Sequence, residues 1–309
     1  MSSIVTITLN PALDKSIIVP ELVPEKKLRA LASKVEPGGG GINVSRALHK
    51  LGVASEAVFL SGGYTGKMLE TLLHKEEVSF VALPVSADTR ENFVVFDEQK
   101  KLQYRFGMPG EAVNEQELQG ILDHISSKTD IAYLVVSGSL PPGMPVTILS
   151  RLAVIAHTIK AKLVVDTSGD ALKAAVKEGV YLIKPNLGEL CALVGKDWLE
   201  KSQVADAART VIAAGSCEAM VVSMGAEGAM LVTATECYEA CAPKVQVLST
   251  VGAGDSMVAG MLAALHKRLG WEEVLQYGVS AGSAATLHPG TELCSLEDTE
   301  RIFKELKHI

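Results

Sequence analysis

The chain has 309 residues, 48% of them hydrophobic, which is enough for one large domain with a substantial core. Its formal net charge of −7 argues against a basic surface for nucleic acid, and no apolar run reaches the roughly 18 residues of a membrane span. Five scattered cysteines without metal-ligand spacing indicate thiols in a reducing compartment. We therefore expect a cytoplasmic protein that binds neither nucleic acid nor membrane.

The N-terminal third contains strand-like segments that do not fit a single repeating pattern. MSSIVTITLN lacks a basic region and a cleavage site, so we interpret it as the first strand. Residues 15–20 and 91–110 also alternate like strands, and the second turns at DEQKK as a hairpin would. They predict a small antiparallel sheet whose exposed apolar face is covered by substrate and main domain or by a second subunit. We expect one domain, residues 1–309, with a β lid inserted as about residues 12–34 and 89–108.

The middle of the chain alternates short apolar runs with segments of helical length. The predicted buried strands are 131–138, 162–169, 180–186 and 219–225, and the predicted helices are 145–160, 170–178, 187–194 and 203–215. This order predicts an α/β fold with a doubly wound, mostly parallel sheet flanked by helices. Ligands of such sheets bind beyond the carboxyl ends of the strands. We therefore expect one crevice to be lined by Asp166, Lys184, Asn186 and Ser223.

Near the C-terminus, STVGAGDSMVAGMLAAL opens a predicted helix with a glycine-rich turn. The first turn of a helix has unsatisfied N–H groups and a partial positive charge, and Gly252 and Gly254 let that backbone approach an anion closely. This geometry suits the charge that develops during phosphoryl transfer. Asp255 fits either a plain helix cap or a base beside an anion hole. The Gly-Ala-Gly ahead of it favours the base.

A second glycine-rich segment, EPGGGGINVSRALHKLG, also runs into a patterned helix, which ends at Gly52. Four consecutive glycines are compatible with a flexible connection. Their position directly before a helix with Asn43 in its first turn favours close approach of a polar ligand. The spacing does not match the dinucleotide-binding fingerprint, and there is no GxxxxGK[ST] loop.

Five charged or amide side chains are candidates for chemistry. Asp14 either caps a turn or accepts hydrogen bonds from substrate hydroxyls, and the sequence leaves both open. Arg90 and Arg105 flank the hairpin; exposed arginines are usually solvated, but paired guanidinium donors are also the preferred clamp for phosphate. KPNLGEL places Asn186 and Glu189 where a strand ends and a helix begins. Glu189 there suits the helix dipole, and the pair also suits Mg²⁺ held through water.

The motifs together resemble the ribokinase-like (PfkB) carbohydrate kinases over essentially the whole chain. The resemblance rests on TLNPALDKS, PGGGGINVSRAL, SGSLPPG, KPNLGEL, VSMGAEGAM, TVGAGDSMVAG and SAGSAATLHPGTELCS. Within that family the chain is similar to the minor bacterial branch of ATP-dependent 6-phosphofructokinases. The resemblance implies a ribokinase-like fold and glycolytic phosphorylation of D-fructose 6-phosphate at its 1-hydroxyl by ATP. Tagatose-6-phosphate kinase, 1-phosphofructokinase and a non-enzymatic sugar-phosphate or nucleotide sensor stay open as alternatives.

The resemblance also implies roles for individual residues. The general base would be Asp255, and the transferring phosphoryl group would be bound by the N–H groups of Gly252, Ala253 and Gly254. The sugar would be held by Asp14, Gly39 and Asn43, and its phosphate by Arg90, Arg105, Ser139 and, across a homodimer formed by the β lid, Lys27. The nucleotide would contact Lys184, Asn186, Ser223, Gly225, Gly228 and Ser283. Mg²⁺ would be organised through water by Glu189, and a monovalent cation such as K⁺ by the carbonyls of Ser249, Val251, Ala285, His288 and Gly290.

Overall fold

The computed structural model describes residues 3–307. The strands are β1 (Ser3–Thr8), β2 (Ala12–Val19), β3 (Ala32–Gly38), β4 (Ser55–Ser61), β5 (Phe80–Pro84), β6 (Arg90–Asp97), β7 (Leu102–Phe106), β8 (Ile131–Ser137), β9 (Lys162–Asp166), β10 (Val180–Ile183), β11 (Cys217–Ser223), β12 (Ala229–Thr233) and β13 (Cys237–Ala240). The helices are α1 (Gly40–Lys50), α2 (Gly63–Lys75), α3 (Glu115–Ser126), α4 (Ile148–Thr158), α5 (Gly169–Ala175), α6 (Leu187–Leu193), α7 (Lys201–Ala213), α8 (Ala253–His266), α9 (Trp271–Thr286) and α10 (Leu296–Leu306).

A central sheet of nine strands has the order β13-β12-β11-β10-β9-β8-β1-β4-β5. All of its pairs are parallel except those that β12 makes with β11 and β13, which are antiparallel. Because its parallel strands, β1, β4, β5 and β8 to β11, all end at the same edge, polar side chains at their carboxyl ends collect there. The predicted fold class, a mostly parallel doubly wound α/β sheet, is confirmed.

Both faces of the central sheet are buried, which explains the continuous apolar runs in the sequence. On β8, Tyr133 and Val135 pack in one core with residues of α1, α8, α9 and α10. Their neighbours Leu134 and Val136 point to the opposite face and pack with α3, α4 and α7. No helix within residues 3–307 has the length and apolar character needed to cross a membrane.

A separate four-stranded sheet, the lid sheet, has the order β3-β2-β6-β7. The β2–β3 and β6–β7 pairs are antiparallel, as expected, but the middle pair, β2–β6, is parallel with Ala12 opposite Arg90. The two hairpin halves come from distant parts of the chain, and β2 and β6 both leave the main domain in the same direction. The sequence pattern within each half carries no information about this pairing.

Candidate active site

The glycine turn before α8 forms an open backbone cradle. Gly252 has a left-handed conformation at φ 74°, and a β-carbon on it would lie 2.5 Å from Leu293 Cδ2, so glycine is strongly favoured there. Gly254 is exposed, and a β-carbon on it would meet only Lys184 Nζ, at 3.7 Å. The first turn of α8, from Ala253, therefore directs its N–H groups into a cleft beside a cation. These are the electrostatics that a phosphoryl group in transfer requires.

Asp255 lies in the first turn of α8 but does not cap it. The cap position is occupied by Gly252, and Asp255 Oδ2 instead accepts a hydrogen bond from Asn43 Nδ2 at 2.9 Å. The interpretation of Asp255 as a plain cap is therefore wrong. Burial, helped by the nearby Asp166 charge, raises the pKa of Asp255 to about 7, although Asn43 and Lys184 oppose the shift. A carboxylate with a pKa near neutrality suits general-base catalysis.

The carboxyl ends of β9 and β10 supply a buried ion pair next to the cradle. Lys184 Nζ lies 3.1 Å from Asp166 Oδ1, and the lysine side chain is only 8% exposed. Burial alone would lower the pKa of Lys184, but the attraction of Asp166 outweighs it and the pKa is raised. Lys184 therefore keeps its positive charge beside Gly254. Further along the same edge, Ser223 N donates to the Pro185 carbonyl at 3.0 Å, which places Ser223 next to Asn186.

The early glycine run is packed rather than flexible. A β-carbon on Gly38 would lie 2.4 Å from Asp14 Oδ2, and Gly39, at φ 107°, would place one 2.7 Å from Thr8 Cγ2. Asp14 is 93% buried on β2 and accepts a hydrogen bond from Asn92 Nδ2 at 2.9 Å, so it does not cap a turn. Burial raises the pKa of Asp14, although Asn92 and nearby arginines oppose the shift. The run thus brings a backbone loop directly onto a buried carboxyl group.

Of the expected phosphate-binding residues, Arg90 and Ser139 meet through one shared neighbour, Asn10. The Asn10 carbonyl accepts from Arg90 Nε at 3.3 Å and Nη2 at 3.1 Å, while Asn10 Nδ2 donates to Ser139 Oγ at 3.2 Å. Arg90 Nη1 also donates to the Met108 carbonyl at 2.6 Å and reaches Asn92 Oδ1 at 3.5 Å. Four of the five guanidinium N–H groups are thus used, and one on Nη2 remains for a ligand.

Arg105 and Lys27 do not join that group. Arg105 Nη2 donates to Thr250 Oγ1 at 2.7 Å, so the guanidinium of Arg105 links the lid sheet to the segment just before the cradle. Lys27 is exposed in the loop between β2 and β3, and no hydrogen bond or ion pair connects it to any residue in the range 3–307. A contribution from Lys27 to the site of a second subunit stays a prediction.

A cavity of about 510 Å³ adjoins the cradle and collects most of the expected nucleotide-binding residues. Its wall contains Ala253 and Gly254 of the cradle together with Ser223, Gly225, Gly228 and Ser283. Gly228, at φ 95°, lies so close to the Ala240 carbonyl that any side chain would collide with it. The cavity has the size and the mixed polar and apolar wall of a small-ligand site.

The candidate magnesium residues form a helix cap. Asn186 Oδ1 accepts from Glu189 N at 2.9 Å, and Glu189 Oε2 accepts from Asn186 N at 2.8 Å, closing a capping box at the start of α6. Glu189 Oε1 takes no part in that pair. Among residues 3–307 no group of three or more His, Cys, Asp or Glu side chains could hold a metal ion. The donor set therefore fits Mg²⁺ coordinated mainly by phosphates and water.

The segments expected to hold a monovalent cation are adjacent. Ser249 Oγ donates to the Gly290 carbonyl at 3.0 Å and accepts from Val251 N at 3.2 Å. His288 N donates to the Ala285 carbonyl at 3.2 Å. These carbonyls retain a second lone pair, so the hydrogen bonds leave ligation of a cation available.

Sequence reasoning missed several residues that organise the site. Asn92 shares a face of β6 with Arg90. Side chains two residues apart in a strand point to the same side, so the spacing alone could have indicated that Asn92 belongs to the site. Asn10 and Thr250 act on partners 80 and 145 residues away, and no local pattern could have revealed them.

Comparison with known proteins agrees with this architecture. Residues 6–299 match the family described as pfkB family carbohydrate kinase. The chain is 43% identical over 307 residues to the ATP-dependent 6-phosphofructokinase isozyme 2 of Escherichia coli strain K12, covering 99% of each chain. It is similar to the crystal structure of Escherichia coli phosphofructokinase-2 in complex with fructose-6-phosphate, with a TM-score of 0.94, 42% identity and coverage of 99% of this chain and 100% of that one.

Two further structures of that enzyme are also similar. The complex with potassium has a TM-score of 0.95, 43% identity and coverage of 99% and 100% of the two chains. The tetrameric inhibited form has a TM-score of 0.94, 42% identity and the same coverage. A parallel α/β sheet with a cradle of this kind defines a ribokinase-like kinase. The chain belongs to the PfkB family of carbohydrate kinases.

Proposed function

We propose that the chain is an ATP-dependent 6-phosphofructokinase, which converts D-fructose 6-phosphate and ATP into fructose 1,6-bisphosphate and ADP. The observation that carries this proposal is the position of Asp255, an acidic side chain with a pKa near 7 beside an open backbone cradle and the charged Lys184. The 43% identity to an enzyme of this name and the similarity to its complex with fructose-6-phosphate support the choice of sugar phosphate.

The reaction is a direct in-line transfer. The ionised Asp255 takes the proton of the sugar 1-hydroxyl as that oxygen attacks the γ-phosphorus of ATP. The new O–P bond forms while the bond to the β,γ-bridging oxygen breaks, and ADP leaves. The N–H groups of Gly252, Ala253 and Gly254 bind the equatorial oxygens of the transferring group, and Lys184 offsets their charge.

The sugar phosphate lies between the lid sheet and the glycine run. Asp14, the Gly39 backbone and Asn43 hold its hydroxyls, a proposal supported by the contact of Asn43 with Asp255 and by the packing of the glycine run on the buried carboxyl of Asp14. Arg90 and Ser139 hold its 6-phosphate with Arg105, whose contact with Thr250 would open to reach it. Because Arg90 has a single free N–H group, we expect it to donate one hydrogen bond to the phosphate rather than to make a bidentate contact.

Two ions complete the proposed site. Glu189 and Asn186 would organise Mg²⁺ through water, and this ion neutralises phosphate charge during transfer. K⁺ would be held by the carbonyls of the segments around Ser249 and Gly290, a proposal supported by their contact and by the relative's complex with potassium. The five cysteines are free thiols, which supports the cytoplasm as the site of action.

We also propose that the lid sheet forms a homodimer interface. Leu102 and Phe106 on β7 are 51% and 47% exposed, and Leu31 before β3 is 58% exposed, so the sheet offers apolar surface to a second copy. Sedimentation of the wild type against Leu102→Lys tests this: the variant should become monomeric. A wild-type monomer, or a variant that still associates, would contradict the lid interface.

A panel of sugar phosphates tests the proposed activity. Fructose 6-phosphate, tagatose 6-phosphate and fructose 1-phosphate are compared by kcat/KM with ATP in a coupled assay, and fructose 6-phosphate should exceed the others by at least tenfold. Preference for another member would assign one of the two related kinase activities instead. Binding of ATP and sugar phosphate without turnover would indicate a sensor, although the intact Asp255 argues against one.

A further inference from the structure

Arg46 lies on α1, one turn after Asn43, and is only 2% exposed. Arginine is rarely buried to this degree unless it is paired. One edge of the guanidinium is paired with Glu76, because Nε donates to Oε2 at 2.7 Å and Nη2 donates to Oε1 at 2.8 Å. Glu36 Oε1 lies 3.8 Å from Nη2. The charge of Arg46 is therefore balanced on this edge alone.

The other edge of Arg46 points to three carbonyl-type acceptors of the active site. Nη1 donates to the Pro37 carbonyl at 2.9 Å, to Asn43 Oδ1 at 3.2 Å and to the Thr291 carbonyl at 3.4 Å. Pro37 directly precedes the glycine run, and Thr291 follows Gly290 in the loop after α9. Neutralising the Glu76 charge requires none of these bonds. The Nη1 group thus joins three separate segments of the site at one point.

The bond to Asn43 decides which way its amide points. With Oδ1 accepting from Arg46, Nδ2 is directed at Asp255 Oδ2, to which it donates at 2.9 Å. A reversed amide would place its oxygen against the Asp255 carboxylate and its N–H groups against the guanidinium, and both contacts would be repulsive. Arg46 therefore excludes the reversed orientation.

We propose that Arg46 is a positioning residue for phosphoryl transfer, which fixes the Asn43 amide toward Asp255 and holds the glycine run and the loop after α9 against α1. The catalytic part of this inference rests on the proposed function, because it takes Asp255 as the base. Arg46 touches neither the cavity nor Asp255 itself. It acts only through Asn43 and the two loop carbonyls.

Loss of the Asn43 bond should raise the pKa of Asp255. After burial, the charged groups that set this pKa are Asp166 and Asp14, which raise it, and Lys184, which lowers it together with the Asn43 hydrogen bond. Arg46 also lowers the pKa of Asp14 by its charge. A test must therefore separate the loss of the directed Nη1 donors from a change in net charge, and Arg46→Lys does so because it keeps the positive charge.

The experiment compares Arg46→Lys with Glu76→Gln, a control that weakens the ion pair but leaves Nη1 in place. The carboxyl carbon of Asp255, assigned by its loss in Asp255→Asn, is titrated by NMR in the unliganded protein, and kcat and KM are measured from pH 6 to pH 9. Arg46→Lys should raise the Asp255 pKa by about one unit and lower kcat at pH 7 at least fivefold, with recovery at pH 8.5. KM for ATP should stay within threefold of the wild type.

Glu76→Gln should lower the unfolding temperature while leaving the Asp255 titration within about 0.3 units of the wild type, which is within the expected effect of a distant charge. An Arg46→Lys protein that loses stability but keeps the wild-type titration and pH profile would overturn the proposal, since Arg46 would then be structural only. If Arg46→Lys does not fold, the double variant Arg46→Met/Glu76→Met removes both charges together and is judged by the same titration. The NMR readout does not require turnover, so an inactive substrate panel would overturn the proposed function without deciding this inference.

Discussion

Gly254→Ala should separate the stability of the cradle from its activity. The φ of Gly254 is not positive, and the new methyl group would meet only Lys184 Nζ at the ordinary contact distance of 3.7 Å. Replacing glycine by alanine in a helix gains up to about 1 kcal/mol, so the variant should unfold at the wild-type temperature or slightly above it. The methyl group would nevertheless lie beside Lys184 in the cradle that we propose as the binding site of the transferring phosphoryl group. We expect kcat to fall about 10²- to 10³-fold, as when one preorganised donor is removed.

Two glycine variants serve as controls for this experiment. Gly120 is exposed on α3, and a β-carbon there would meet nothing within 4 Å, so Gly120→Ala should gain similar stability with unchanged activity. Gly252→Ala should lose about 1–3 kcal/mol, because it combines a left-handed backbone with a contact of 2.5 Å to Leu293. Thermal unfolding and a coupled ATP assay measure all three variants. A Gly254→Ala protein with kcat within threefold of the wild type would refute the proposed role of the cradle in binding the transferring phosphoryl group.

Three further predictions address the base, the sugar clamp and the metal. The pKa of Asp255 is about 7 in the folded protein, against an ordinary value of 3.8. Between these two pH values the folded protein binds more protons than the unfolded chain, so ionisation of Asp255 destabilises the folded protein progressively as pH rises through that window. Asp255→Asn should therefore raise the unfolding temperature more at pH 8 than at pH 5, and equal shifts at the two pH values would disprove the raised pKa. Arg90→Ala should raise the sugar-phosphate KM at least tenfold, since a charge-assisted bond contributes roughly 1.5–3 kcal/mol, and an unchanged KM would remove Arg90 from the clamp. In Glu189→Gln the new amide oxygen can still accept the cap hydrogen bond from Asn186 N, so the unfolding temperature should change little. The Mg²⁺ concentration needed for half-maximal activity should rise. An unaltered Mg²⁺ requirement would count against a metal role for Glu189.

The central sheet could be predicted because its strands carry strong local signals. The buried runs 131–138 and 219–225 contain almost only apolar residues, since both faces of the sheet are covered. β3, Ala32–Gly38, gave no such signal: its first half is exposed, and it contains lysine, glutamate and proline. The parallel pairing of β2 with β6 depends on contacts between residues about 78 positions apart, which alternation within either strand cannot specify.

The residues of the candidate site also fall into those with a local sequence signal and those without one. The cradle and the glycine run could be found because glycine is required where a backbone must approach a side chain or ligand, and each motif lies within its own short segment. The hydrogen bonds that orient the chemistry are not local: Asn43 meets Asp255 across 212 residues, and Arg46 meets Thr291 across 245. The capping box of Asn186 and Glu189, by contrast, is local, because its two residues are three positions apart in the chain.

The most direct test of the central claim is Asp255→Asn studied by calorimetry beside a coupled assay. The amide keeps the shape of the side chain but cannot accept the hydroxyl proton as a base. We expect kcat to fall at least 10²-fold, within the usual range for a general base, while ATP and fructose 6-phosphate bind within a few-fold of the wild type. Turnover at the wild-type rate in this variant would contradict the assignment of Asp255 as the residue that deprotonates the sugar.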